Sequence, residues 1–231
     1  MDRESENGDA DLSGRRRRGI RGRGERTRLE ILEATIRVIA ERGVRGVSHR
    51  EVAREAGVSL SLTTYYFADL RDLVASAFRH LLAGHLADYG PTFEQAFREL
   101  DRLLGGGPPR AADRARVRDF LVRRIVGYVR EKLETRPIGL AAEHHLLFER
   151  LLDPAVREIA EIHRSGLVAP FVELCRRLGT REPTIDADLL LGTILRLEYE
   201  QLVDAGEGPD LRRLRRVVGR LVDLLLEDPG R

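Results

Sequence analysis

Hydroxyl-bearing side chains crowd the stretch from Ser59 to Tyr66, with arginines on either side at Arg50 and Arg71. A hydroxyl both donates and accepts hydrogen bonds, a phenol adds an aromatic face, and neither repels a polyanion. This chemistry suits phosphate oxygens and base edges. Other reactive residues offer less. His145 and Glu149 stand four apart on a predicted helix, a spacing that serves a surface ion pair better than a metal. Cys175 is the single cysteine and lies in an apolar stretch, as a small buried hydrophobe does. No Gly-rich phosphate loop, Ser-His-Asp set or metal-protease motif stands out, so the sequence nominates no catalytic residue, no metal ligand and no cofactor.

The elements that must position those hydroxyls are closely punctuated. Ser48 and Glu51 spell an S-x-x-E capping box, and Val47 is set to staple against Val52, so a helix runs from about His49 to Ala56. Gly57 follows, where only glycine turns left-handed cheaply. Ser59 is the next predicted N-cap, for a helix from Leu60 to about Tyr66, and Asp69 caps a third. Helix, Gly turn, helix is the helix-turn-helix plan. The small Ala53 lets the two helices cross closely, while Val52, Ala56, Val58 and Tyr66 supply a miniature core. The residues expected to meet double-stranded operator DNA are Arg50, Ser59, Ser61, Leu62, Thr64, Tyr65, Tyr66 and Arg71. Ser61 and Thr64 are expected at base edges, and Tyr65, Tyr66 and Arg50 on phosphates.

From Thr27 to about Leu81 the chain resembles the N-terminal domain of the TetR family of transcriptional regulators. The likeness rests on the AGVS turn (Ala56 to Ser59), the Tyr65, Tyr66, Phe67 ending and the acidic helix start after it. Family members often carry Tyr at the place of Thr64 and a phosphate-binding Lys at the place of Leu70; Arg71 next door is the candidate substitute. The resemblance implies that Leu73 to Leu81 form a hinge through which an effector is felt. It also implies that the last two helices of each subunit meet their copies in a four-helix bundle.

Composition sets the bounds. The 231 residues lack Trp, are poor in aromatics and are dominated by Leu, Ala, Arg and Glu, so the predicted class is all-α. That class resolves into a three-helix helix-turn-helix domain followed by a helical bundle for ligand binding and dimerisation. The net charge is only +2, so any polyanion must be met by local basic charge. No apolar run approaches the ~18 residues of a membrane span, and one cysteine allows no internal disulfide; a soluble, cytoplasmic protein without a membrane partner is expected. Residues 1–25 hold too little apolar surface to fold and read as a disordered basic arm, dense at Arg15 to Arg18, Arg21 and Arg23. The arm either follows a DNA backbone or is a solvated charge run. Residues 26–68 form the predicted DNA-binding domain and 69–228 the regulatory and dimerisation domain.

Further along, Thr27 and Glu30 suggest a helix start and Gly43 its end. A helix from Asp69 to about Asp88 turns Leu73, Ala77 and Leu81 inward, and Pro91 opens the next, which stops before Gly105 to Pro109. Helices follow over 113–134, 138–152 and 154–178. Phe93, Phe97, Phe120, Tyr128, His144 and Phe148 are the candidate lining of a pocket for an unknown small-molecule effector. The closing helices, 186–203 and 209–226, are more apolar than one buried face requires, which implies either a homodimer or burial in the chain's own core. Leu195 and Leu221 lie in these apolar stripes. The expected function is a ligand-responsive repressor acting as a homodimer on a palindromic operator. A helical-bundle enzyme or carrier with an incidental helix-turn-helix, or a regulator answering a protein partner, are the alternatives.

Overall fold

The computed structural model describes residues 6–148, 154–203 and 208–227; within these, the side chains of 6–22, 86–88, 148 and 155 fall outside the description. All regular structure among the described residues is helical. Among them no helix is long and apolar enough to cross a membrane.

Helix α1 (Glu6–Arg42) enters well before the predicted start at Thr27 and takes in most of the segment expected to be unstructured. No proline interrupts that segment, and a helix once nucleated gains one hydrogen bond per added residue. The Thr27 hydroxyl caps nothing; it donates to the Arg23 carbonyl at 3.1 Å. Gly43 ends α1 at φ 68°, and a 3₁₀ turn (Val44–Gly46) leads to α2 (His49–Ala56) and α3 (Leu60–Tyr66).

Helix α4 (Leu70–Leu104) is continuous where two helices were expected, with Pro91 inside it. Tertiary contact bridges the missing hydrogen bond: the Tyr128 ring packs on Tyr89 at 5.1 Å before the proline and on Phe93 at 5.4 Å after it. The remaining helices are α5 (Arg114–Thr135), α6 (Pro137–Phe148), α7 (Pro154–Leu178), α8 (Pro183–Val203) and α9 (Leu211–Glu227). Gly179, at φ 72°, closes α7, with the Thr180 N–H donating to the Cys175 carbonyl.

The apolar interior falls into two clusters. The first gathers Ile31, Leu32 and Ile39 of α1, Val52 of α2, Phe67, and Leu73, Ala77, Phe78 and Leu81 of α4. It also takes Ala142 and Leu146 from α6 and Val156 and Ile159 from α7, so the helix-turn-helix shares its core with the bundle. The second joins α5, α7, α8 and α9 around Val117, Cys175, Leu190, Ile194 and Val218.

Between the helices of the bundle lies a buried polar network. Lys132 of α5, the only lysine, places Nζ 3.1 Å from Glu198 Oε1 on α8 and 3.4 Å from Glu143 Oε2 on α6. His163 Nε2 sits 2.8 Å from Glu143 Oε1, and His85 Nδ1 3.4 Å from Oε2. Burial opposes the ammonium charge, but Glu198 and Glu143 outweigh it and hold Lys132 above its usual range. Burial lowers the His85 pKa to about 4 despite Glu143 beside it, so this ring is neutral near pH 7. Lys132→Met leaves two buried carboxylates without a cation and is expected to cost about 3–5 kcal/mol. Urea denaturation checks this, and an unchanged midpoint would show that water reaches the carboxylates.

Candidate nucleic-acid interface

Helices α2 and α3 are set by local chemistry. Ser48 Oγ accepts from the Glu51 N–H at 3.2 Å, starting α2 as predicted. The Glu51 carboxylate pairs with Arg42 at 2.9 Å and with Arg54, tying α2 to the end of α1. At Gly57, φ 67°, the Val58 N–H reaches the Ala53 carbonyl at 3.0 Å and the Gly57 N–H that of Arg54 at 3.3 Å, a Schellman ending. Ser59 holds the extended N-cap backbone of α3, but its side chain caps nothing and instead lies 2.9 Å from Ser61 Oγ. Asp69 does cap α4, accepting from the Asp72 N–H at 2.8 Å.

Two buried residues fix α3: Thr63, which reasoning from sequence passed over, and Phe67, which entered there only as part of the family likeness. Thr63 is fully buried; its hydroxyl donates to the Leu60 carbonyl and lies 3.2 Å from His49 Nδ1 at the start of α2. One turn away, Phe67 is buried with Arg28 of α1 over its ring at 5.4 Å. A threonine four residues before the buried Phe67, one helical turn away on the same face, was the available signal.

With Thr63 inward, α3 turns Ser61, Thr64 and Tyr65 outward, Tyr65 at 79% exposure. The Thr64 hydroxyl donates back to the Ser61 carbonyl at 3.1 Å. Arg50, Ser59 and Arg71 are exposed around this face and Leu62 is half-buried. Tyr66 differs from Tyr65: it is half-buried, packs on the first apolar cluster, and a Cβ at Gly24 would lie 3.2 Å from its hydroxyl. Its phenol therefore reaches α1. Of the basic arm, Arg15 to Arg18 and Arg21 have side chains outside the described residues, while Arg23 is exposed.

The predicted pocket residues divide. Phe93, Phe97, Phe120 and Tyr128 line one cleft with Phe171, Leu174 and Ile194, which reasoning from sequence missed. The cleft opens to solvent and is lined almost wholly by apolar side chains. Arg124, paired with Glu99 at 2.5 Å, is its charged lining residue, and Arg177 covers the Phe97 ring at 4.5 Å. Burial raises the Tyr128 pKa above its usual range, so the phenol stays neutral. His144 does not join this cleft; it lies on α6 beside Glu198 and in a separate groove with Leu195, Tyr199 and Val203. The cause is helical phase, which turns His144 toward α8 instead of α5. The Phe148 side chain lies outside the described residues.

The closing helices carry two apolar stripes. Leu190, Leu191, Ile194 and Leu197 of α8 and Leu214, Val218, Val222 and Leu225 of α9 are buried in the chain's own core. Ile185, Leu189, Tyr199 and Val203 of α8 and Leu224 of α9 remain exposed. Leu195 and Leu221 are half-buried at the edge between the stripes.

Residues 31–77 match the family described as bacterial regulatory proteins, tetR family. The HTH-type transcriptional regulator PksA of Bacillus subtilis is 47% identical over 55 residues, which cover 24% of this chain and 27% of PksA. The chain thus spans well under two thirds of that relative's length. A TetR-family member from Streptomyces coelicolor A3 superposes with a TM-score of 0.54 at 28% identity, covering 84% of this chain and 97% of that one. The multidrug binding protein EbrR, complexed with malachite green, does so with a TM-score of 0.52 at 26% identity, covering 84% and 96%. Residues 31–77 thus carry the helix-turn-helix pattern of the tetR family of bacterial regulatory proteins, and the remaining helices are similar in arrangement to those of a family member.

Proposed function

We propose that the chain is a DNA-binding transcriptional repressor, acting as a homodimer on a palindromic operator and released from it by a small apolar effector. The observation that carries this reading is the outer face of α3, where Ser61, Thr64 and Tyr65 stand exposed on a helix without a single acidic residue. Such a face can enter a major groove, with short hydroxyls at base edges and the phenol at a phosphate. The matched relatives are named as transcription regulators, which weighs against the enzyme or carrier alternative. EbrR is a multidrug binding protein complexed with malachite green, and the aromatic lining of the cleft here supports a ring-bearing effector.

The test begins with DNA that the parent protein selects from random palindromes. Tyr65→Ala is expected to weaken binding to every selected sequence by roughly tenfold or more, the scale of a lost charge-assisted phosphate bond. Substitutions at Ser61 or Thr64 should instead change which sequence is preferred. Equal binding by Tyr65→Ala in a gel shift would remove α3 from the interface, and failure of the parent to select any sequence would remove the reading.

A two-fold operator needs a two-fold protein, with recognition helices about 34–36 Å apart or a multiple of that. The exposed stripe on α8 and α9 is the surface offered to the second copy. Leu189→Asp with Leu224→Asp touches only this stripe and spares the inner core, so the variant is expected to fold, sediment as a monomer and bind operator at least tenfold more weakly. A variant that sediments as a dimer would move the interface elsewhere.

A further inference from the structure

We propose that His85, Glu143 and His163 form a binding site for one divalent transition-metal ion of the zinc class. His85 comes from α4, Glu143 from α6 and His163 from α7, and one ligand atom from each lies within 4.8 Å of the others. All three side chains are buried. Ligand atoms about 2.0–2.1 Å from a tetrahedral ion stand about 3.4 Å apart. Here His85 Nδ1 lies 3.4 Å from Glu143 Oε2 and His163 Nε2 2.8 Å from Oε1, so an ion would replace the His163–Glu143 hydrogen bond and draw the three ligand atoms in from their present spread of up to 4.8 Å. Two imidazole nitrogens with one carboxylate form a three-ligand zinc set that leaves a fourth position for water.

Charge and hydrogen bonding point the same way. Among the described residues, the buried charged groups with fixed sign are two carboxylates, Glu143 and Glu198, against one ammonium, Lys132. Lys132 lies nearer Glu198, at 3.1 Å, than Glu143, at 3.4 Å, and Glu143 Oε2 makes no hydrogen bond. With Lys132 shared between two carboxylates and no hydrogen bond at Oε2, that oxygen keeps lone-pair capacity open to a second cation. Lys132 then serves as the outer partner that orients the ligating carboxylate. The bound ion pins α4 to α6 and α7, the two helices that close the core of the helix-turn-helix.

The test uses tag-free full-length protein stripped with a chelator, then titrated with Co²⁺ followed by visible absorption and with Zn²⁺ followed by calorimetry. One ion per chain is expected, with Kd at or below about 1 μM, and His85→Asn and His163→Asn should each weaken it by roughly a hundredfold. His145→Asn, at an exposed position on the same helix as Glu143, should leave binding unchanged. Ring spectra of the parent give a readout that does not depend on variants folding, since Zn²⁺ must shift His85 and His163 among the six histidines. No stoichiometric ion, an ion whose affinity survives both asparagine variants, or shifts confined to other histidines would overturn the site and leave Glu143 and His163 as a plain hydrogen-bonded pair.

Discussion

The bundle turns on one ammonium group. Lys132 reaches from α5 to carboxylates on α6 and α8, and those carboxylates, with no solvent exposure, could not both stay ionised without it. The geometry this demands fixes three helices at one level, and the apolar cleft is built directly upon it. Tyr128, one turn before Lys132, has the ammonium 5.4 Å from its ring centre and packs its other contacts against Tyr89 and Phe93. The polar centre thus becomes the floor of the cleft, and the cleft wall is the very segment of α4 that carries Pro91. A proline that would break an isolated helix is tolerated there because aromatic packing holds the chain on both sides of it.

From that floor the structure leads back to α3 through the continuous helix α4 and a shared apolar cluster. Helix α4 starts three residues after α3 ends, contributes Leu73, Ala77 and Leu81 to the first apolar cluster, and then runs on to Phe93, Phe97 and Leu100 at the cleft. Helix α6 closes the loop from the other side, carrying Glu143 to Lys132 and placing Ala142 and Leu146 in the same cluster as α1. Helix α7 joins the two as well, with Phe171 and Leu174 at the cleft and Val156 and Ile159 in the cluster, so a guest in the cleft could act on α3 only by as much as it prefers one placement of these helices over another.

What was legible in the sequence was what local chemistry decides. Gly43, Ser48, Gly57 and Asp69 announced helix ends because a cap or a left-handed turn is settled within a few residues, and the inward stripe of α4 followed from helical spacing. The same logic failed where distant contact overruled it. Thr27 has the spelling of a cap but lies inside α1, and Pro91 has the spelling of a start but is held by Tyr128. Ser59 took the cap backbone without using its side chain, since Ser61 offered a partner. In the cleft, the aromatics of α4 and α5 were recoverable from their stripes, whereas Phe171 and Leu174 depended on how α7 docks. The buried charges were the hardest to read. Lys132 stands on the inward stripe of α5 with Ile125, Tyr128 and Val129, an anomaly that periodicity can flag, but its partners lie on other helices and no local pattern names them.

The apolar excess on α8 and α9 had two readings in the sequence, an inner core or a second copy, and they are compatible. A helix with one apolar face satisfies one neighbour; α8 buries Leu190, Ile194 and Leu197 inward and still shows Leu189, Tyr199 and Val203 outward. Fully burying a large apolar side chain contributes about 1.5–3 kcal/mol, and these are already partly covered, so each adds less than that. Association costs about 4–15 kcal/mol in lost freedom, which a single stripe of such residues meets only at the low end. In an isologous contact the same stripe is used from both chains, so its contribution doubles while the cost is incurred once. The outward stripe is thus apolar surface that the chain's own core leaves uncovered, and an isologous contact is one in which it would meet a surface of its own chemistry.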